Sequence, residues 1–136
     1  MFSSPSYSEW TKVGKNKNYG DTFYVDFERI RKHGGYVYFW VLGDYLKPIA
    51  GDLSVKVYKQ GDCKLFRFKS LSFSYHKEPM GEGTGDVQEP VKKGWRYPSP
   101  NSSVENILKI VCSRWVLDNE KINSLTPNLF DISQTS

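Results

Sequence analysis

Cysteine is scarce in this chain: only Cys63 and Cys112 occur in 136 residues, and neither belongs to a CxxC pair. Two lone cysteines 49 positions apart, with only His33 and His76 besides, give no metal-ligand spacing, so no metal site is expected. No apolar run approaches the roughly 20 residues that a helix needs to cross a bilayer. No block of five or more like charges occurs, which excludes a basic arm for nucleic acid. The opening MFSSPSYSEW has neither the basic n-region nor the apolar h-region of a secretory signal. Either the chain is made without one, or it is the mature segment of an exported protein.

Catalytic patterns are equally thin. Asp21, Asp26, Glu28, Asp44, Asp52 and Asp62 fall mostly at turns, where Asp favours local hydrogen bonding. His33 stands in a KHGG turn and His76 ends a strand pattern; both read as surface residues. No nucleophile elbow is present. GEGTG at 81–85 lacks the Lys-Ser/Thr of a phosphate loop and reads as a turn. No enzyme and no cofactor are expected.

What the chain has in excess is aromatic residues: nine Tyr, eight Phe and four Trp, with a net charge of +4. Tyr and Trp combine an apolar body with a polar tip and suit half-exposed sheets and contact surfaces. Residues 1–9 read as a flexible lead-in. Trp10 and Val13 mark a short first strand closed by Gly14, and TFYVDF at 22–27 alternates with a period of two. ERIRKHGG turns the chain at Gly34-Gly35. YVYFWVL at 36–42 is apolar on both faces and belongs at the centre of a sheet, whereas GDYLKPIAGD reads as a loop or irregular crossing. SVKVY at 54–58 alternates again, and a Gly61-Asp62 turn leads to a strand segment opening at Cys63.

In that segment, CKLFRFKSLSFSYH, Phe66 and Phe68 share one parity, and Leu71, Phe73 and Tyr75 the other. A regular strand cannot switch parity, so a bulge near Lys69-Ser70 or a long bent strand with two partly covered faces is expected. EPMGEGTGD is a glycine-rich hairpin or loop, and a last strand is expected at Trp95–Tyr97. Beyond the prolines, Val104, Ile107, Leu108, Val111, Cys112 and Trp115 fall on one helical stripe, and Ser102 with Glu105 forms a capping-box pattern. Residues 118–136 form a polar tail. Cys112 lies on the stripe and so faces whatever the helix packs on. Two free buried thiols or one bond between helix and sheet both fit that placement.

The ordered set W-x-x-V, T-F-Y-V-D, R-I-R-K, V-Y-F-W-V-L-G-D-Y, S-V-K, D-C, F-R-F-K-S-L-S-F-S-Y, M-G-E-G, P-S-P-N-S-S and I-V-C resembles the surface-adhesin protein E family of bacteria, over about residues 10–115. The resemblance implies an α+β single domain at 10–117. Its antiparallel sheet has about six strands, with a C-terminal helix on the concave face held by a Cys63–Cys112 disulfide. It further implies export to the periplasm, outer membrane or cell surface, often with a lipid anchor, although this chain shows no lipobox cysteine. Extracellular-matrix or plasma proteins are the implied ligands.

Two functional readings follow. In the first, a basic face bearing Lys64, Arg67, Lys69, Lys92, Lys93 and Arg96 contacts an anionic protein or polysaccharide. In the second, the interleaved cations and aromatics of KLFRFK bind single-stranded nucleic acid by base stacking. Stable disulfides are rare where nucleic acid is usually met, so a disulfide favours the first reading.

Overall fold

The computed structural model describes residues 9–125, with side chains through Arg114. The expected lead-in up to residue 8, the tail beyond 125 and the side chain of Trp115 lie outside the described residues.

Among the described residues, seven strands build one antiparallel sheet: β1 (Thr11–Lys15), β2 (Thr22–Val25), β3 (Arg31–His33), β4 (Tyr36–Ile49), β5 (Asp52–Asp62), β6 (Arg67–His76) and β7 (Gly85–Gln88). Their order is β1-β2-β4-β5-β6-β7, with β3 pairing the other end of the β4 edge that β2 occupies. The α-helix α1 (Ser103–Leu125) follows. β4 is the central strand that its doubly apolar pattern requires. Val37, Phe39 and Val41 on its odd face are buried with Val25, Ile107, Leu108 and Val111 in one cluster. Those last three are the α1 stripe, so the helix covers one face of the sheet.

The helix begins where the capping pattern puts it. Ser102 Oγ accepts from the Glu105 amide at 3.1 Å, and Glu105 Oε1 accepts from the Asn101 amide at 3.1 Å, one residue earlier than in the usual box. Asn106 Nδ2 donates to the Val13 carbonyl at 3.0 Å, which ties the first turns of α1 to β1. Further along, the Cys63–Cys112 disulfide joins the helix to the β5–β6 turn, closing a separation of 49 residues.

The β6 parity problem is resolved by a bulge. Lys59 pairs with Ser70 but Tyr58 pairs with Ser72, leaving Leu71 as the extra, exposed residue. The slip brings Phe68 before the bulge and Phe73 and Tyr75 after it to the same, helix-covered side of the sheet.

Several expected boundaries move. GDYLKPIAGD is not a loop, because β4 runs on to Ile49 and returns through a tight turn at Ala50-Gly51. Gly61-Asp62 is not the turn either: both residues pair within β5 and β6, and the chain turns over 63–66, with Phe66 at φ 52. Cys63 therefore sits in a turn rather than opening a strand. The segment 31–33, read as part of a turn, forms the short strand β3. Around Trp95–Tyr97 there is a single bridge, Phe68 to Arg96, instead of a strand.

Candidate functional site

The pairing registers assign each side chain to a face, because directly opposed residues in an antiparallel pair project together. On the face away from α1, the even residues of β4 meet Arg31 and His33 of β3, Gln60 and Tyr58 of β5, and through them Lys69 and Ser72 of β6. One complete row across the sheet reads Arg31–Tyr38–Gln60–Lys69. The next reads Trp40–Tyr58–Ser72.

The rings on this face touch. Tyr58 lies 4.8 Å from Trp40 and 6.2 Å from Tyr38, centroid to centroid. Trp95 completes the set, 5.2 Å from Tyr36. It arrives from a separate segment, which the paired backbone hydrogen bonds of Phe68 and Arg96, both 2.9 Å, hold against β6. Strand alternation then sends Trp95 to the open face and Arg96 to the other. All five rings are partly exposed.

Arg67 and Lys69 sit on this aromatic set. The Arg67 guanidinium carbon is 4.3 Å from the Trp95 centroid and Lys69 Nζ is 4.6 Å from it. Cations so placed are attracted by the ring quadrupole and held in one orientation. Arg67 Nε also donates to Asp62 Oδ2 at 2.9 Å, while Asp62 Oδ1 accepts from the Lys64 and Leu65 amides. Burial pushes the Asp62 carboxyl up, but Arg67 and those two amides outweigh it and hold it below the usual carboxylate value. The pair thus fixes both the Cys63 turn and the base of Arg67.

Of the six cations singled out in the sequence, Arg67 and Lys69 come together. Lys64 is exposed in the adjoining turn, and Lys92 and Lys93 are exposed in the segment leading to Trp95, Lys93 within 3.7 Å of Glu89. Arg96 goes elsewhere: it lies 6.0 Å from the Phe68 ring, on the side where Lys59 is buried. Sequence reasoning missed the ladder of Tyr36, Tyr38, Trp40, Tyr58 and Trp95. Its available signal was the even parity of three rings in YVYFWVL.

The far part of the same face is closed. The Met80 and Gly81 amides donate to Asp44 Oδ1 (2.7 Å) and Ser54 Oγ (2.8 Å), and Ser54 Oγ donates to the Glu78 carbonyl at 2.6 Å. This laps the 79–81 turn over Leu42 and Ser54, both fully buried. Nearby, Ser74 Oγ and His76 Nε2 are 2.9 Å apart, and His76 Nδ1 is 3.1 Å from the Glu82 carbonyl. That pair has the composition of a nucleophile and base. His76 is buried, however, and the Gly85 backbone packs so closely on both side chains that a Cβ there would collide with them. The pair pins the β6–β7 hairpin instead.

A concavity of about 500 Å³ lies between the β1–β2 loop and the start of α1, lined by Lys15, Asn16, Lys17 and Asn106 among others. It is remote from the aromatic face and holds no titratable pair suited to acid–base chemistry. Among the described residues, no group of three or more His, Cys, Asp or Glu could hold a metal ion, and no helix is long and apolar enough to cross a membrane.

Comparison with known proteins agrees with this architecture. The chain is similar to Haemophilus influenzae protein E in crystal form II, with 21% identity and a TM-score of 0.57 over 81% of this chain and 91% of that one. Against protein E from non-typeable Haemophilus influenzae the values are 20% and 0.55, over 82% of each chain. No curated protein sequence matched. At these identities the likeness shows the fold. The family model for surface-adhesin protein E matches residues 10–113, and the chain belongs to that family.

Proposed function

We propose that this chain is a non-enzymatic binding module of the bacterial envelope that takes an anionic partner, protein or polysaccharide, on the sheet face α1 leaves bare. One observation carries the reading: Arg67 and Lys69 are stacked on Trp95, beside a partly exposed aromatic ladder. Exposed Lys64, Lys92 and Lys93 extend the positive field around that corner. Such cations mainly raise association rate and salt sensitivity. Arg96 faces the other side and is not part of the contact. Family membership and a disulfide, a bond that persists in oxidising compartments, support the cell surface or periplasm as the location.

The test is charge reversal that spares the fold. Lys69→Glu and Lys64→Glu remove cations without stranding a buried carboxylate, which Arg67→Glu would do to Asp62. The double variant is expected to lose binding to anionic polymers about tenfold or more at 0.15 M salt, with its melting temperature lowered by at most a few degrees. Unchanged binding to every anionic polymer would assign the contact to another surface.

A further inference from the structure

We infer that the open face is a trough for an acidic polysaccharide, with the aromatic ladder as its floor and cations on both of its banks. This rests on the proposed use of the face and narrows its ligand to one class. The floor follows β4: Tyr36, Tyr38 and Trp40 recur every second residue, about 14 Å end to end at ~3.4 Å per residue, with Tyr58 beside them. One bank is β3, where Arg31 stands opposite Tyr38 and His33 opposite Tyr36. Arg31 Nη1 is fixed by the Glu28 and Ile30 carbonyls at 3.4 and 3.2 Å. The other bank is β6, with Arg67 and Lys69 braced on Trp95. In the row Arg31–Tyr38–Gln60–Lys69 the banks stand three strand spacings apart, about 14 Å at ~4.8 Å each.

The carboxylates of this face are already occupied. Asp62 is held by Arg67 and two amides, and Asp44 accepts from the Met80 amide under the 79–81 turn. The three cations Arg31, Arg67 and Lys69 outnumber these two carboxylates, so the trough is positive as well as apolar. That turn also closes one end over Leu42 and Ser54, so a ligand lies along β4 and leaves past the Gly34-Gly35 turn.

A chain of acidic sugar rings matches this cross-section. A pyranose presents a C–H face to an aromatic ring, while its carboxylate or sulfate groups project from the edges of the chain toward either bank. Tyr hydroxyls and Gln60 supply hydrogen-bonding groups to its hydroxyls. Single-stranded nucleic acid carries its charge along a backbone with the bases to one side, and calls for a charged groove beside a stacking platform rather than two banks. An acidic peptide laid on the floor finds aromatic rings there and no strand edge to pair its amides with.

The experiment compares four polymers on the full, disulfide-bonded chain: heparin, poly-L-glutamate, a dT oligonucleotide and neutral dextran. Heparin is expected to bind tightest. Tyr38→Ser is expected to weaken heparin about fivefold or more while leaving poly-L-glutamate unchanged, and Lys69→Gln to weaken both. Because Tyr38→Ser removes a packed ring, Gln60→Glu is run beside it. It puts a carboxylate on the floor without removing a ring and is expected to cost heparin about tenfold. Lys77→Gln, at an exposed site beside Asp52, should change nothing. Poly-L-glutamate bound as tightly as heparin and indifferent to Tyr38→Ser would overturn the sugar assignment yet keep an anionic-partner face. Tightest binding of the dT oligonucleotide would replace it with the nucleic-acid reading. No binding by any polymer would sink both this inference and the proposed function.

Discussion

On one side of β4, Val37, Phe39 and Val41 are buried beneath Ile107, Leu108 and Val111. On the other side of the same strand, Tyr36, Tyr38 and Trp40 remain partly exposed among Arg31, Gln60 and Lys69. A strand apolar on both faces thus serves two ends. β-branched and aliphatic groups with Phe39 fill the space under the helix, while rings with polar tips face solvent on the opposite surface, where a Tyr hydroxyl or indole N–H keeps water as a partner. The lesson is that apolar character alone does not distinguish a core face from a contact face; the polar tips do.

The difference can be broken first at its covalent link. The disulfide restrains the helix side only, and in the chain-entropy model a loop of this size contributes about 4 kcal/mol. The Cys63→Ser/Cys112→Ser variant is expected to show a drop of that order in urea unfolding under non-reducing conditions. The second break is steric. Gly61 lies between the sheet and the helix, and a Cβ there would fall 2.9 Å from Val37 Cγ1 and 3.1 Å from Leu108 Cδ1. Gly61→Val is expected to cost about 1–3 kcal/mol by overpacking, again read from the urea midpoint.

A smaller effect comes from Lys59, which lies on the helix-covered side but is flanked by Phe68 and Ser70. Its Nζ donates to Ser70 Oγ at 3.1 Å and lies 4.4 Å from the Phe68 centroid. Burial, with Arg96 adding repulsion, lowers its amine from 10.5 to about 8. The unfolded chain therefore binds this proton below about 10.5, the folded chain only below about 8. Stability should rise with pH across that window, and below 8 the full penalty of charging a buried amine is present. Lys59→Met is expected to flatten that rise and to add on the order of 2 kcal/mol at pH 7, measured as urea midpoints from pH 7 to 10.

The elements legible in the sequence are those in which burial imposes a period. The α1 stripe, its Ser102 cap, the β4 centre and the bulge that reconciles Phe68 with Phe73 all leave a pattern because a mistake in any of them would expose core residues. Strand β3 and the outer arm of β4 leave none. Arg31, Lys32 and His33 are exposed, as are 46–49 around Pro48, so backbone pairing holds them without selecting a side-chain period. The Cys63 turn was obscured for another reason: Asp62 caps it through its side chain from within the strand, while Gly61, the apparent turn residue, is there to let Leu108 approach. Of the contact face, Arg67 and Lys69 were visible as a basic strand. Trp95 was not placed with them, because a single bridge from a distant segment delivers it, and no local pattern records that. The same bridge separates Arg96 from the other cations by strand parity.

The division between the faces is tested most directly by measuring melting temperature and heparin affinity on the same two variants. Leu108→Ala opens a cavity under the helix, worth about 2–5 kcal/mol. It is expected to lower the melting temperature while leaving the dissociation constant of the still-folded protein unchanged. Lys69→Glu is expected to do the reverse: a melting shift of at most a few degrees, from the lost contact with Trp95, and a dissociation constant about tenfold higher. Heparin affinity that follows Leu108→Ala and ignores Lys69→Glu would contradict the assignment of binding to the open face.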